Sequence, residues 1–253
     1  MKKYIITLIV ASLFMLMYGC SSDNVSLIND INSKYYSVQG KYKEIVFKYS
    51  SSFYQNMLNN SPQDKVAVIK DLEFFAKLSE SGNLAINVRK VPQNVSEEQK
   101  EFINRIIVAM KEQIEGIFYA TGSIWGNMID TVNCNVKVLK NTPQEIVLSE
   151  KFKKGNLTVK LYLDKDFVII KDETFSRGNL MTIIDRQIEE RKGLYYVTNI
   201  KKEQIIPNKR QSSLKIEYRE YKGVALPFVI NYEGFLQGQN VKTKITLEPV
   251  LLK

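Results

Sequence analysis

The chain has 253 residues, with 36 Lys and Arg against 27 Asp and Glu, two Cys and no His. The missing His excludes Ser-His-Asp and Cys-His nucleophiles and any His-held metal. A formal charge of +9 points to anionic partners, which in a cytosolic protein would mean nucleic acid.

The first segment changes that reading. Met1-Lys2-Lys3-Tyr4 precedes an apolar run from Ile5 to Met17, broken only by Thr7 and Ser12. A basic start, a short apolar stretch and a small residue before the cut make an export signal over 1–19. The run is short of the roughly 20 apolar residues that span a bilayer. Leu16-Met17-Tyr18-Gly19-Cys20 resembles the bacterial lipobox, with Met17 and Tyr18 departing from the usual pattern. The resemblance implies lipid attachment at the Cys20 thiol and a membrane partner through that lipid. Residues 20–26 then form a tether, and one domain covers 27–253. Ser21, where an Asp would retain a lipoprotein in the inner membrane, implies the outer membrane, with the domain facing the periplasm. An exported chain meets little nucleic acid, so its positive charge either serves solubility beside a membrane or suits anionic headgroups or envelope polymers. After lipidation only Cys134 is left, so no internal disulfide staples the fold.

Residues 27–130 read as helix-rich. Leu27, Ile28, Ile31 and Tyr35 recur at helical spacing. Ile45, Phe47 and Tyr49 leave helix and strand both open. Val68, Leu72, Phe75 and Leu78 predict a helix over 64–78, and Leu84, Ile86 and Val88 a short strand. Ser96 and Gln99 form a capping box that opens a long amphipathic helix, with Phe102, Ile103, Ile106, Ile107, Met110, Ile114 and Ile117 on one stripe.

From 132 to 253 the pattern is antiparallel β. Leu157, Val159, Leu161 and Leu163 alternate with polar residues, as do Leu214, Ile216 and Tyr218. Phe228, Ile230 and Tyr232, then Ile245 and Leu247, continue the series. Met181, Ile184 and Ile188 ahead of Gly193 predict one helix among the strands. The fold class expected is α+β: a curved antiparallel sheet of about seven strands, a half-open barrel, covered by the N-terminal helices.

Tyr221-Lys222-Gly223-Val224-Ala225-Leu226-Pro227-Phe228-Val229-Ile230, preceded by the strand Leu214 to Arg219 and followed by a strand ending Leu247-Glu248-Pro249-Val250, resembles the last strands of periplasmic lipoprotein carriers and their outer-membrane receptors, the LolA/LolB-like group. The likeness covers about the last 40 residues and, in outline, 132–213. It implies a cavity for acyl chains under the sheet. Leu157, Val159, Leu161, Leu214, Ile216, Tyr218, Phe228 and Ile230 would line it, with a lipid or another lipoprotein's acyl chains as ligand and no catalytic residue, metal or cofactor. Burial of each acyl CH₂ contributes about 0.8 kcal/mol, enough to hold a whole chain. The alternative is a filled core whose surface recruits an envelope protein. A His-independent hydrolase would need facing carboxylates. Asp164, Asp166, Asp172 and Glu173 are the neighbours available, and all read as solvated turn residues.

Overall fold

The computed structural model describes residues 22–131, 133–153, 155–236 and 239–253. The export signal and Cys20 lie outside these residues. Helix α1 (Ser22–Lys34) starts the described chain, so helix begins within the stretch expected to be a tether. Strand β1 (Glu44–Ser51) follows, then helices α2 (Ser52–Asn60) and α3 (Gln63–Ile69), strands β2 (Glu73–Ser79) and β3 (Leu84–Arg89), and helices α4 (Glu97–Ala120) and α5 (Gly122–Trp125). The remainder is strand: β4 (Cys134–Asn141), β5 (Ile146–Phe152), β6 (Leu157–Leu163), β7 (Ile169–Ser176), β8 (Asn179–Arg191), β9 (Leu194–Gln204), β10 (Arg210–Tyr221), β11 (Val224–Leu236) and β12 (Gln239–Leu252).

All twelve strands belong to one antiparallel sheet, ordered β3-β2-β1-β12-β11-β10-β9-β8-β7-β6-β5-β4. The sheet is not closed, and its strand number corrects the expected seven. Its two edges, β3 and β4, are consecutive in the chain. Chain topology therefore carries the connection through α4 and α5 from one edge of the sheet to the other. The chain's end is tied to its beginning: β12 pairs with β1, and Lys43 N–H donates to the Lys253 carbonyl at 2.6 Å.

Local chemistry explains where the sequence reading fails. Helix α3 stops at Ile69, and β2 places Phe74, Ala76 and Leu78 in the core by strict alternation. Phe75 falls on the other face, under the Arg89 guanidinium at 4.5 Å. The segment 181–191 is strand β8, not helix. Ile184 and Ile188 are four residues apart, a separation that suits one face of a helix and one face of a strand alike. The turn after it decides the matter. Lys192 and Gly193 both have positive φ (52° and 76°), as the two-residue hairpin turn that matches strand twist requires. Arg177-Gly178 and Lys222-Gly223 repeat this device. The "helix-rich" stretch 27–130 thus also contains β1, β2 and β3.

Helix α4 begins as its sequence says. Gln99 N–H donates to Ser96 Oγ at 3.3 Å and Ser96 N–H to Gln99 Oε1 at 3.0 Å. Its buried side chains Ile103, Ile106, Met110, Ile114, Ile117 and Phe118 join one core with the inner sheet face. Phe118 stacks on Trp125 at 4.7 Å, and Phe47 of β1 meets both rings edge-on.

The sheet forks near its middle. β9 and β10 pair only between 199–204 and 210–215. Beyond that, β9 stays with β8 and β10 with β11. Tyrosines bridge the gap. Tyr36 N–H donates to the Tyr195 carbonyl at 2.9 Å, Tyr36 Oη to the Ala225 carbonyl at 2.8 Å, and Tyr218 Oη to the Val197 carbonyl at 2.9 Å. The Tyr36 and Tyr196 rings stack at 4.3 Å. The Tyr195 and Val197 carbonyls, left unpaired by the fork, are thereby satisfied, as buried polar groups must be, and the Ala225 carbonyl on the far side of β11 is capped as well.

Candidate functional site

Two features of the sheet bear on function: its inner face, where the helical cover sits, and an open cleft at the strand ends. On the inner face, Leu161, Leu214, Ile216 and Ile230 are buried in the core with the helices' own side chains, and Ile230 is fully inaccessible. Val159 and Tyr218 are half-buried against that core. Two of the expected lining residues stand apart. Leu157 opens β6 and is 37 % exposed. Phe228 is the extra residue where Pro227 pairs with Tyr218 and Val229 with Glu217, a β-bulge. Its ring lies under the Arg219 guanidinium at 3.6 Å rather than in the core.

The same inner face holds a buried charged centre that the sequence reading did not identify. Asp172 of β7 is 1 % exposed, which corrects its reading as a solvated turn residue. Its Oδ2 accepts from Arg186 Nη1 of β8, and the pair is sealed from solvent (side-chain exposures 2 % and 13 %). Burial lowers the guanidinium pKa to about 10. Asp172 Oδ1 and Arg186 Nε make no hydrogen bond within the described residues. Nearby on β5, Glu150 is also buried, and burial pushes its carboxyl up to about 7 although Asp130 N–H donates to it at 3.0 Å. The turn alone does not reveal the pair. Arg177-Gly178 as a two-residue turn would set Asp172 opposite Ile183, and the register shift between Thr174 and Phe175 moves it opposite Ile184, which leaves Arg186 as its diagonal neighbour on the same face.

Polar groups around this centre fasten α1 to the sheet and to the segment after α5. Tyr35 Oη accepts from Ile169 N–H at 2.7 Å and donates to the Phe167 carbonyl at 2.9 Å. Burial raises its pKa above the ordinary phenol value. Asn32 makes both bonds to Ile129, donating to its carbonyl at 3.2 Å and accepting from its N–H at 2.8 Å. The sealed carboxylates have no face on which to meet a substrate. Asp164 holds its turn, accepting from Asp166 and Val168 N–H at 2.9 Å each. Glu173 takes Lys171 and the Tyr162 hydroxyl.

The cleft lies between the start of β10 and the start of β12. It has a volume of about 420 Å³ and is lined by Lys209, Arg210, Gln211 and Asn240. Lys209 is engaged by Glu203 at 2.8 Å. Cys134 is buried, and burial raises its thiol to about 11, so it is no nucleophile. Among the described residues no three carboxylate or thiol groups converge to hold a metal, and no helix is long and apolar enough to cross a membrane.

No family model, no curated protein and no solved structure matches this chain.

Proposed function

We propose that the protein is a non-catalytic, lipid-anchored protein of the cell envelope that receives an apolar ligand, a lipid or the acyl chains of another lipoprotein, between its sheet and its helical cover. One observation carries this reading: an unclosed sheet whose largely apolar inner face is covered in part by one connection, α4–α5, running from one edge to the other, with α1, α2 and α3 packed on the same core. Moving that one segment would uncover an apolar stretch of the inner face, around Phe47, Ile245 and Leu247, without breaking a strand. The attachment is also uneven. Asn32 of α1 and Glu150 of β5 hold the far end of the connection through bonds to Ile129 and Asp130, whereas α4 lies in the core with β1, β2 and β12 through apolar side chains and two longer bonds, Tyr49 Oη to the Met110 carbonyl at 3.3 Å and Gln113 Nε2 to Thr243 Oγ1 at 3.5 Å. The ligand would replace contacts that α4 makes with Phe47, Ile245 and Leu247. The anchor implied by Cys20 places such a stretch where acyl chains must cross water.

A second reading is a filled core whose surface recruits a partner. It is favoured by the burial of Leu161, Leu214, Ile216 and Ile230 against the chain's own helices. Mass spectrometry of the protein extracted without refolding, followed by titration of the delipidated sample with a fluorescent fatty acid, separates the two. Co-purified acyl chains and saturable one-to-one binding are expected. Failure of both in a folded sample sinks the carrier reading and leaves the filled core.

A further inference from the structure

The two edges of the sheet are protected very differently. The β4 edge carries Lys137 and Lys140, and its extra residue Leu139 breaks the ladder between Val138 and Lys140. Lysines and bulges of this kind keep an edge from pairing with another chain. β3 has neither. From Leu84 to Val88 it holds no charge, no proline and no bulge, and its pairing with β2 runs without interruption.

The hydrogen-bond phase of this edge follows from the hairpin before it. Ser79 N–H donates to the Asn83 carbonyl at 3.0 Å, which makes 79 and 83 a bonded pair. Bonded pairs alternate in an antiparallel ladder, so Ala85, Asn87 and Arg89 turn their backbone groups toward β2. Leu84, Ile86 and Val88 turn theirs outward, to an edge that no strand of the described chain occupies. The same three residues put half-buried side chains on the inner face, while Ala85, Asn87 and Arg89 are exposed on the outer one.

We propose that β3 is a homodimer interface, pairing antiparallel with β3 of a second copy about a two-fold axis at Ile86. In that register Leu84 faces the partner's Val88, Ile86 faces the partner's Ile86, and Ala85 faces the partner's Asn87. Every outward-pointing backbone group then meets another, giving about six bonds between the chains, two per bonded pair. Inner-face residues meet inner-face residues and the two sheets become one. A slip by one residue loses the bonding phase and the facial match together. Charge agrees with this arrangement: Arg89 and Lys90 at one end of the strand come beside the partner's hairpin carrying Glu80. The partner is thus a second copy, because the edge is complementary to itself.

Sedimentation velocity of the full chain in mild detergent, at rising concentration, tests this. A reversible dimer is expected. I86P removes an N–H that faces only the partner but also trims a half-buried side chain, so the variant should keep the parent's circular dichroism, melt somewhat lower and sediment as a monomer. The double variant A85K/N87K changes only exposed positions and sets like charges opposite each other twice, so the dimer should weaken about tenfold. A85K/N87E sets opposite charges there and should restore it. If I86P does not fold, the two charge variants decide the question alone. A chain that stays monomeric throughout, or a dimer indifferent to both charge variants, overturns the proposal.

Discussion

The helical cover meets the two flanks of the sheet in different ways. Against β1, β2 and β12 the contact is mostly rings and branched chains, Phe47, Phe74, Ile245 and Leu247 with Met110, Ile114, Phe118 and Trp125, with two longer hydrogen bonds, from Tyr49 Oη to the Met110 carbonyl and from Gln113 Nε2 to Thr243 Oγ1. Against β5, β7 and β8 it is set by single polar groups: Glu150 on Asp130 N–H, Tyr35 between Phe167 and Ile169, and Asp172 paired with Arg186 beside them. Apolar contact is non-directional and tolerates sliding, whereas a buried hydrogen bond is lost outright when displaced. The polar flank therefore fixes where the cover sits, and the apolar flank supplies most of the burial. Any movement of α4 has its pivot near residues 121–130.

The largest effect expected on this contrast comes from removing one partner of the buried ion pair. D172A leaves the Arg186 guanidinium charged and enclosed, and urea unfolding should show a loss of about 3–5 kcal/mol. Replacing both groups, D172L/R186M, should recover most of that loss, because an apolar pair in their place needs no counter-charge. If the double variant is as unstable as the single one, the site matters for shape rather than charge, and the contrast between flanks weakens.

Next is the pH response of the polar flank. Glu150 has a folded-state pKa of about 7, raised by burial from an ordinary 4.5. The fold thus holds this proton more tightly than the unfolded chain does. Its contribution is fully present below about pH 4.5 and is lost as the pH rises through 7. The difference integrates to about 3 kcal/mol. E150Q keeps an acceptor for Asp130 N–H and cannot ionise. Denaturation of both proteins should give similar stabilities at pH 4 and a more stable E150Q at pH 8. Equal stabilities at both values would mean that Glu150 is charged and solvated in the fold.

These two flanks were unequally legible in the sequence. The apolar one announced itself: the α4 stripe and its capping box were readable because helical period, cap and burial agree. Alternation likewise gave β6, β10 and β12. The polar flank did not. Asp172 lies between Lys171 and Glu173, and nothing local separates the one fully buried charge from its two partly exposed neighbours. Only the pairing of β7 with β8 does, and that pairing was hidden because Ile184 and Ile188 satisfy a helix as well as a strand. Likewise, β1 takes its place through pairing with β12, some two hundred residues on, which no local pattern encodes. Local periodicity reports which face is apolar. It does not report which strand lies alongside.

The smallest effect expected is confined to the apolar flank. S96A removes the acceptor for Gln99 N–H at the start of α4 and should cost about 1 kcal/mol. That residue lies at the end of the connection remote from residues 121–130, so the loss should be local. Hydrogen exchange should quicken in the first turns of α4 while the amides of Ile129, Asp130 and Ile169 keep the parent's protection, since their partners Asn32, Glu150 and Tyr35 are untouched. Equal acceleration at both ends would show that the cover opens as one unit, so that its polar fasteners hold no better than its apolar contacts. Retained protection at Ile129 and Asp130 would instead make the start of α4 the less firmly held end of the cover.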